Sequence, residues 1–223
     1  MEAVAIDGRV ASGKSTTAHQ LATRLNYLYL DTGAMYRGLA LLALRNGVGV
    51  DQEAAIADLL AAHRLSVVAR ERSALGYSVL IDGEDVTDRL FDPDVTAAVS
   101  AVAALPAVRA ALVIRQREIA REGPVVMAGR DIGTVVLPDA KYKFFLTASL
   151  DERAQRRRRE FEERGLAMPI EQVRLQIEER DRLDEGRATA PLRRAPDAIL
   201  IDSTGIAPEA VVARMLAVIH DAA

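Results

Sequence analysis

The sequence predicts an α/β fold: five short parallel strands forming a sheet, helices on both of its faces, and a small antiparallel insert. Three observations carry this. An apolar run, Val4-Ala5-Ile6, leads into Gly8-Arg9-Val10-Ala11-Ser12-Gly13-Lys14-Ser15 and then into a helical pattern from Ser15 to Leu25. Further short apolar runs alternate with helical patterns along the chain, the order expected of parallel strands joined by helical crossovers. Between residues 64 and 92 the pattern changes to paired strand-like segments around Asp82-Gly83, the signature of an antiparallel lobe.

The elements follow in order. Tyr27-Leu28-Tyr29-Leu30 reads as a second strand, and Asp31-Thr32-Gly33 as a turn capping a helix from Ala34 to Arg45, which Gly47 and Gly49 stop. A helix from Asp51-Gln52-Glu53 to about His63 precedes the antiparallel lobe, whose strands are Leu65–Ala69 and Tyr77–Ile81. Helices then cover 94–104 and 106–122, the second carrying Pro106 in its first turn, where a missing N–H is harmless. Val125–Ala128 is the third strand, followed by the loop Gly129–Thr134, and Tyr142–Leu146 is the fourth. Helices over 150–164 and 169–185 have few apolar positions and are expected partly off the core. Ala198–Ile201 is the fifth strand, and 208–220 a closing amphipathic helix.

Composition narrows the setting. Apolar types make up 50% of the 223 residues, enough for one compact domain with inserted lobes. The absence of cysteine excludes disulfides and thiolate metal sites and suits a reducing, cytoplasmic compartment. No leader pattern and no apolar run of membrane-spanning length is seen, so no membrane is expected. A net charge of −3 and no tryptophan argue against a nucleic-acid polymer as partner.

The Gly8–Ser15 stretch fits Gly-x-x-x-x-Gly-Lys-Ser/Thr, a phosphate loop. Glycines at both ends let successive N–H groups point inward, and the following helix adds its positive end. Lys14 is expected to reach the terminal phosphates, and Ser15 to offer its hydroxyl to a bridging magnesium ion. Arginines cluster beyond it. Arg37 lies one helical turn beyond Thr32-Gly33, Arg130 follows the third strand, and Arg180, Asp184 and Arg187 are spaced to share a helical face. Guanidinium groups suit phosphoryl transfer, in which charge spreads over several oxygens. Arg158, Arg159, Arg164 and Arg182 read instead as solvated or paired with nearby Glu. His19, His63 and His220 are scattered and read as surface or helix-end residues, in keeping with a reaction that needs no protein base when a phosphate oxygen is the nucleophile.

Beyond the loop, the chain carries Ile6-Asp7-Gly8, Leu30-Asp31-Thr32-Gly33-Ala34-Met35-Tyr36-Arg37, Gly129-Arg130-Asp131-Ile132-Gly133-Thr134-Val135-Val136 with Pro138-Asp139-Ala140, Arg180-Asp181-x-x-Asp184-x-x-Arg187 with Ala190-Pro191-Leu192, and Ile201-Asp202-Ser203-Thr204. Together, in this order and across nearly the whole chain, these resemble the bacterial cytidylate kinases. The resemblance implies a three-layer P-loop NTPase fold with core 1–63, 93–150 and 191–223, an NMP-binding insert at about 64–92 and a mobile helical lid at about 151–190. It implies transfer of the γ-phosphate of ATP to CMP or dCMP with Mg2+, in a cytoplasmic enzyme expected to be a monomer.

Carried over residue by residue, the resemblance assigns the donor to Gly8, Arg9, Val10, Ala11, Ser12, Gly13, Lys14, Ser15 and Thr16, with the lid arginines Arg153, Arg156 and Arg157 closing over its phosphates. Thr32, Tyr36, Arg37, Arg130 and Arg187 fall to the acceptor, Asp184 with Arg180 to its ribose, and Ser100, Arg109 and Asp131 to its base. Lys14, Arg130, Arg153, Arg157 and Arg187 are the expected catalytic set. A carboxylate accepting from the cytosine amine, with Arg and Ser serving the ring acceptors, discriminates against uracil, which reverses two of those sites.

Two stretches depart from the family. Arg9-Val10 stands where Pro-Ser is usual, putting an extra charge near the phosphates, and Ala128 where an acidic residue normally precedes Gly-Arg-Asp, so metal coordination here lacks one expected carboxylate, with Asp31 and Asp131 as the candidates to compensate. A UMP- or AMP-directed kinase and a non-catalytic nucleotide-binding protein are the two rival readings.

Overall fold

The structure is a computed structural model and describes residues 2–70, 75–163 and 165–221. Arg164, read above as solvated, lies outside the described residues. Its larger sheet has five strands: β1 (Ala3–Gly8), β2 (Leu28–Asp31), β6 (Val125–Gly129), β7 (Tyr142–Thr147) and β8 (Ile199–Asp202), in the order β2-β6-β1-β7-β8. The smaller sheet is antiparallel and comprises β3 (Leu65–Ala69), β4 (Tyr77–Ile81) and β5 (Glu84–Asp85). The five-stranded α/β architecture and the antiparallel insert are those expected from the sequence.

The chain divides into two compact units, residues 1–26 with 126–223, and residues 27–125. In the first, β1 pairs in parallel with β7, and β7 with β8. Every residue of β1 is buried, as a continuous apolar run in a sheet covered on both faces requires. α1 (Lys14–Leu25) and α8 (Pro208–Asp221) pack on one another, with Gln20 donating to Glu209 at 3.1 Å. α6 (Leu150–Glu163) and α7 (Ile170–Gly186) form the segment expected to sit off the core. They enclose a small core of their own, Ala154, Val173 and Ile177, against which Leu150, Phe161, Met168 and Ile170 pack. Val10 and Ala11 of the phosphate loop pack on the same cluster.

In the second unit, α2 (Thr32–Arg45) packs on α4 (Pro93–Val102) and on β3 and β4, while α3 (Glu53–Ala62) packs on α5 (Pro106–Glu122). Asp31 caps α2 by accepting the Gly33 N–H at 2.9 Å, as its position before a helical run predicts. Gly38 lets α2 approach the small sheet: a Cβ there would stand 2.8 Å from Leu65 Cδ1.

Local differences from the sequence reading have physical causes. The helix expected to reach residue 104 ends at Val102, because Leu105 precedes Pro106 and is held extended. A 3-10 turn, Thr87–Phe91, follows β5. The loop after β6 contains a π-helical turn, Ile132–Val136. Arg187 lies just past the end of α7 in extended backbone rather than on the helix, yet remains within reach of Asp184.

Candidate active site

The phosphate loop is shaped by backbone that only its own residues tolerate. Gly8 has φ +149°, and a Cβ there would fall 2.0 Å from the Leu146 carbonyl oxygen, so no side chain fits. Gly13 caps α1 in the left-handed conformation without a side-chain hydrogen bond, leaving space for an anion at the positive end of the helix. Ala11 is also left-handed, at φ +56°, a strain typical of binding loops. The Lys14 ammonium is folded over the loop, donating to the Arg9 carbonyl at 2.5 Å, with Ser12 Oγ at 3.4 Å. Ser15 and Thr16 are exposed in the first turn of α1.

The arginines of α6 have different surroundings. Arg156 donates to Ser203 Oγ at 3.0 Å and to the Ser203 carbonyl at 2.7 Å, and its Nη1 would lie 3.4 Å from a Cβ on Gly13. It therefore stands over the loop. Ser203 Oγ also lies 3.0 Å from the Ser12 carbonyl and 3.1 Å from that of Thr147, joining the end of β7 to the loop. Arg153 is 3% exposed and donates to Asp181 at 2.7 Å, to the Ala148 carbonyl at 3.1 Å and to the Val10 carbonyl at 3.3 Å. Its guanidinium ties α6 and α7 to the phosphate loop. Arg157 pairs with Glu160 at 2.7 Å and lies over the Phe161 ring, 4.4 Å from its centroid. Arg9, one of the two departures, pairs with Glu185 at 2.8 Å.

The second concentration of charge is centred on Asp184, which is 5% exposed. Arg130 Nε lies 2.7 Å from its carboxylate, Arg187 Nη2 3.3 Å and Arg180 Nε 3.7 Å, the last too long for a hydrogen bond. Burial opposes the charge on Asp184, but Arg130, Arg180 and Arg187 outweigh it and hold the carboxyl below its usual range. Burial, together with the Arg130 guanidinium, pushes Arg180 down. Three guanidiniums share one carboxylate, and Arg180 Nε is buried without a hydrogen-bond acceptor, so the cluster suits an added anion.

Asp7, at the end of β1, accepts the N–H groups of Ile132 and Gly133, each at 2.7 Å. These follow Asp131, itself 5% exposed. Asp7, Asp181, Glu185 and Ser203 were given no role by sequence reasoning. For Asp7 a signal existed: an acidic residue closing an apolar strand beside a phosphate loop is too costly to bury without partners.

In the unit of residues 27–125, Arg37 donates to the Leu90 carbonyl and to Thr96 Oγ1, both at 3.1 Å, and lies over the Phe91 ring at 5.0 Å. Arg109, 3% exposed, donates to the Ala103 carbonyl at 3.0 Å, satisfying the frayed end of α4, and stacks over Tyr36 at 5.5 Å. Thr32 is buried at the start of α2, and Ser100 is half-buried on α4. The sequence-assigned Tyr36 and Arg109 are thus brought together. Arg158 and Arg182 pair with Glu162 and Glu179, as read from the sequence.

A magnesium ion would find Ser15 exposed beside the loop but only a methyl group at Ala128, at the end of β6, and both Asp7 oxygens already accept backbone N–H groups. Among the described residues, no group of three or more His, Asp or Glu side chains is gathered to hold a metal. This donor set fits an ion held chiefly by nucleotide phosphates and water, the usual habit of magnesium. Among the described residues, no single helix is long and apolar enough to cross a membrane.

A family model described as cytidylate kinase matches residues 4–221. The chain is 49% identical over 218 residues to a Geobacillus kaustophilus protein named cytidylate kinase, covering 98% of this chain and 96% of that one. It is 50% identical over 209 residues to a Desulforamulus reducens protein of the same name, covering 94% and 92% respectively. Among solved structures, an uncharacterized protein from Eubacterium ventriosum covers 99% of both chains with a TM-score of 0.55 at 13% identity, a likeness of fold alone.

Proposed function

The chain belongs to the cytidylate kinase family, and from that premise we propose that it transfers the γ-phosphate of ATP to CMP or dCMP, yielding ADP and CDP or dCDP. The observation that carries this is the pairing, within one unit, of a glycine-shaped phosphate loop with the arginine cluster on Asp184. Two anion-binding devices are what a reaction between two nucleotides demands.

The loop N–H groups, Lys14 and Thr16 hold the donor phosphates, Ser15 serves the metal, and Arg156 covers the loop. A magnesium ion bound with ATP would supply positive charge to the donor phosphates, with Ser15 the residue to hold it. Arg130 and Arg187 take the acceptor phosphate, with Arg180 and Asp184 at the ribose. The family resemblance assigns Arg37 and Thr32 to the acceptor as well. Arg153 and Arg157 keep the lid closed so that water does not replace the acceptor. The acceptor oxygen is ionised near neutral pH, so stabilisation falls to charge and position rather than to a general base.

For the base, the family resemblance assigns Asp131 to the cytosine amine, and Ser100 and Arg109 to the ring acceptors. Uracil would leave groups unpaired at a cost of about 1–3 kcal/mol each. Incubating the protein with magnesium-ATP and each of CMP, dCMP, UMP and AMP while following ADP tests the reading. CMP and dCMP should be used in preference. Preferential use of UMP or AMP would replace the substrate, and ATP binding without ADP formation would replace the activity. The same reading takes the protein to be a cytoplasmic monomer.

A further inference from the structure

Asp7 ends the strand that delivers the phosphate loop and is 4% exposed. Its Oδ1 accepts the Ile132 N–H and its Oδ2 the Gly133 N–H, both at 2.7 Å. These two amides directly follow Arg130 and Asp131 and open the turn Ile132–Val136. The turn is closed from its other side by the N–H groups of Val135 and Val136, which donate to the Asp131 carbonyl at 2.8 and 3.1 Å. It lies directly on the carboxylate: a Cβ on Gly133 would stand 3.4 Å from Asp7 Oδ2 and 3.3 Å from Lys143 Cδ.

We infer that Asp7 is a positioning residue that locks the Arg130–Asp131 turn to the strand entering the phosphate loop, and so sets the acceptor-binding side chains in register with the donor loop. The inference rests on the assignment of Arg130 and Asp131 to the acceptor. Two successive N–H groups aimed at one side chain call for two acceptor oxygens and no donor, which only a carboxylate supplies at this size. Burial pushes the Asp7 carboxyl up to about 6 despite its two N–H partners and nearby Lys14, with Asp131 adding to the rise. A charged group kept in so unfavourable a place has a task that a neutral side chain of the same shape performs less well.

Asp7→Asn tests this. Its carboxamide accepts from one N–H and turns an amine toward the other, so the turn shifts while β1 keeps its packing. For CMP, kcat/KM should fall on the order of tenfold or more, the scale of one buried N–H left facing a donor. The dissociation constant for ATP, measured by displacement of a fluorescent ATP analogue, should change by less than about twofold, because the loop itself is untouched. A loss of the same kind should appear in Gly133→Val, whose γ-methyls exceed the space beyond a Cβ that already stands 3.4 Å from Asp7 Oδ2 and 3.3 Å from Lys143 Cδ, and which serves if Asp7→Asn does not fold. Wild-type CMP kinetics in the folded Asp7 variant, or an equal loss of ATP affinity, would overturn the role. Arg130→Ala, run in parallel, separates the two levels: near-normal CMP turnover in that variant removes the acceptor assignment and this role with it.

Discussion

Asp7 and Asp184 are both carboxylates buried in the same unit of the chain, and they settle at opposite ends of the scale. Asp7 receives two backbone N–H groups, yet burial wins and its carboxyl rises to about 6. Asp184 is also penalised by burial, but Arg130, Arg180 and Arg187 hold it below the usual range. Neutral donors orient a buried charge without fully compensating for it. Guanidiniums compensate for it, and in excess they create a demand for a further anion. One carboxylate therefore holds backbone in place, while the other gathers the guanidiniums that we assign to the acceptor.

The largest expected effect comes from breaking the second arrangement at its shortest contact. Arg130→Ala should lower kcat for CMP by roughly a hundredfold or more, the scale of removing one charged donor from a phosphoryl-transfer site. Coupled measurement of ADP release checks it, and near-normal turnover would show that the cluster is purely structural. Asp184→Asn acts on the same cluster from inside. It leaves three guanidiniums without their shared counter-charge and should lower stability by about 3–5 kcal/mol in urea denaturation. Millimolar inorganic phosphate should restore more stability to this variant than to the wild type, since the anion replaces the missing charge. A loss no larger than that of a surface ion pair would contradict the geometry.

The two carboxylates should also separate by pH. A native carboxyl raised from 3.8 to about 6 binds its proton more tightly folded than unfolded. Its stabilising contribution is therefore complete below about pH 4 and is lost as pH rises through about 6, a change of about 3 kcal/mol. Asp184, with its lowered carboxyl, does the reverse: its contribution is present above the unfolded pKa and disappears as pH falls through the lower folded value. Urea denaturation of wild type and Asp7→Asn between pH 4 and 7 should give a stability difference that shifts toward the variant as pH rises. Parallel curves would mean that Asp7 is not held as described.

Much of this was legible in the sequence because local rules dominate there. The apolar runs of β1, β6, β7 and β8 and the glycines of the phosphate loop announce strand, turn and helix within a few residues. The 180–187 spacing brings Arg180, Asp184 and Arg187 together without knowledge of the fold. What escaped depends on partners distant in the chain. Asp181 matters because Arg153 reaches it across the lid, and Ser203 because Arg156 and the Ser12 carbonyl meet there. The replacement of Pro-Ser by Arg9-Val10 looked like an intrusion of charge beside the phosphates. In the fold, Val10 packs on the lid cluster and Arg9 pairs with Glu185, so both residues face the lid.

The smallest expected effect tests the other departure. Ala128 is 2% exposed at the end of β6, beside β1, so no carboxylate stands there to order the waters of a nucleotide-bound magnesium ion. On the proposed assignment of the metal to Ser15 and the nucleotide phosphates, half-maximal activity should require more magnesium than it would with the acid restored. Ala128→Asp should lower the magnesium concentration for half-maximal activity by a few-fold at saturating ATP and CMP, on the order of one added outer-sphere carboxylate. Superimposable magnesium curves would show that the methyl group costs nothing.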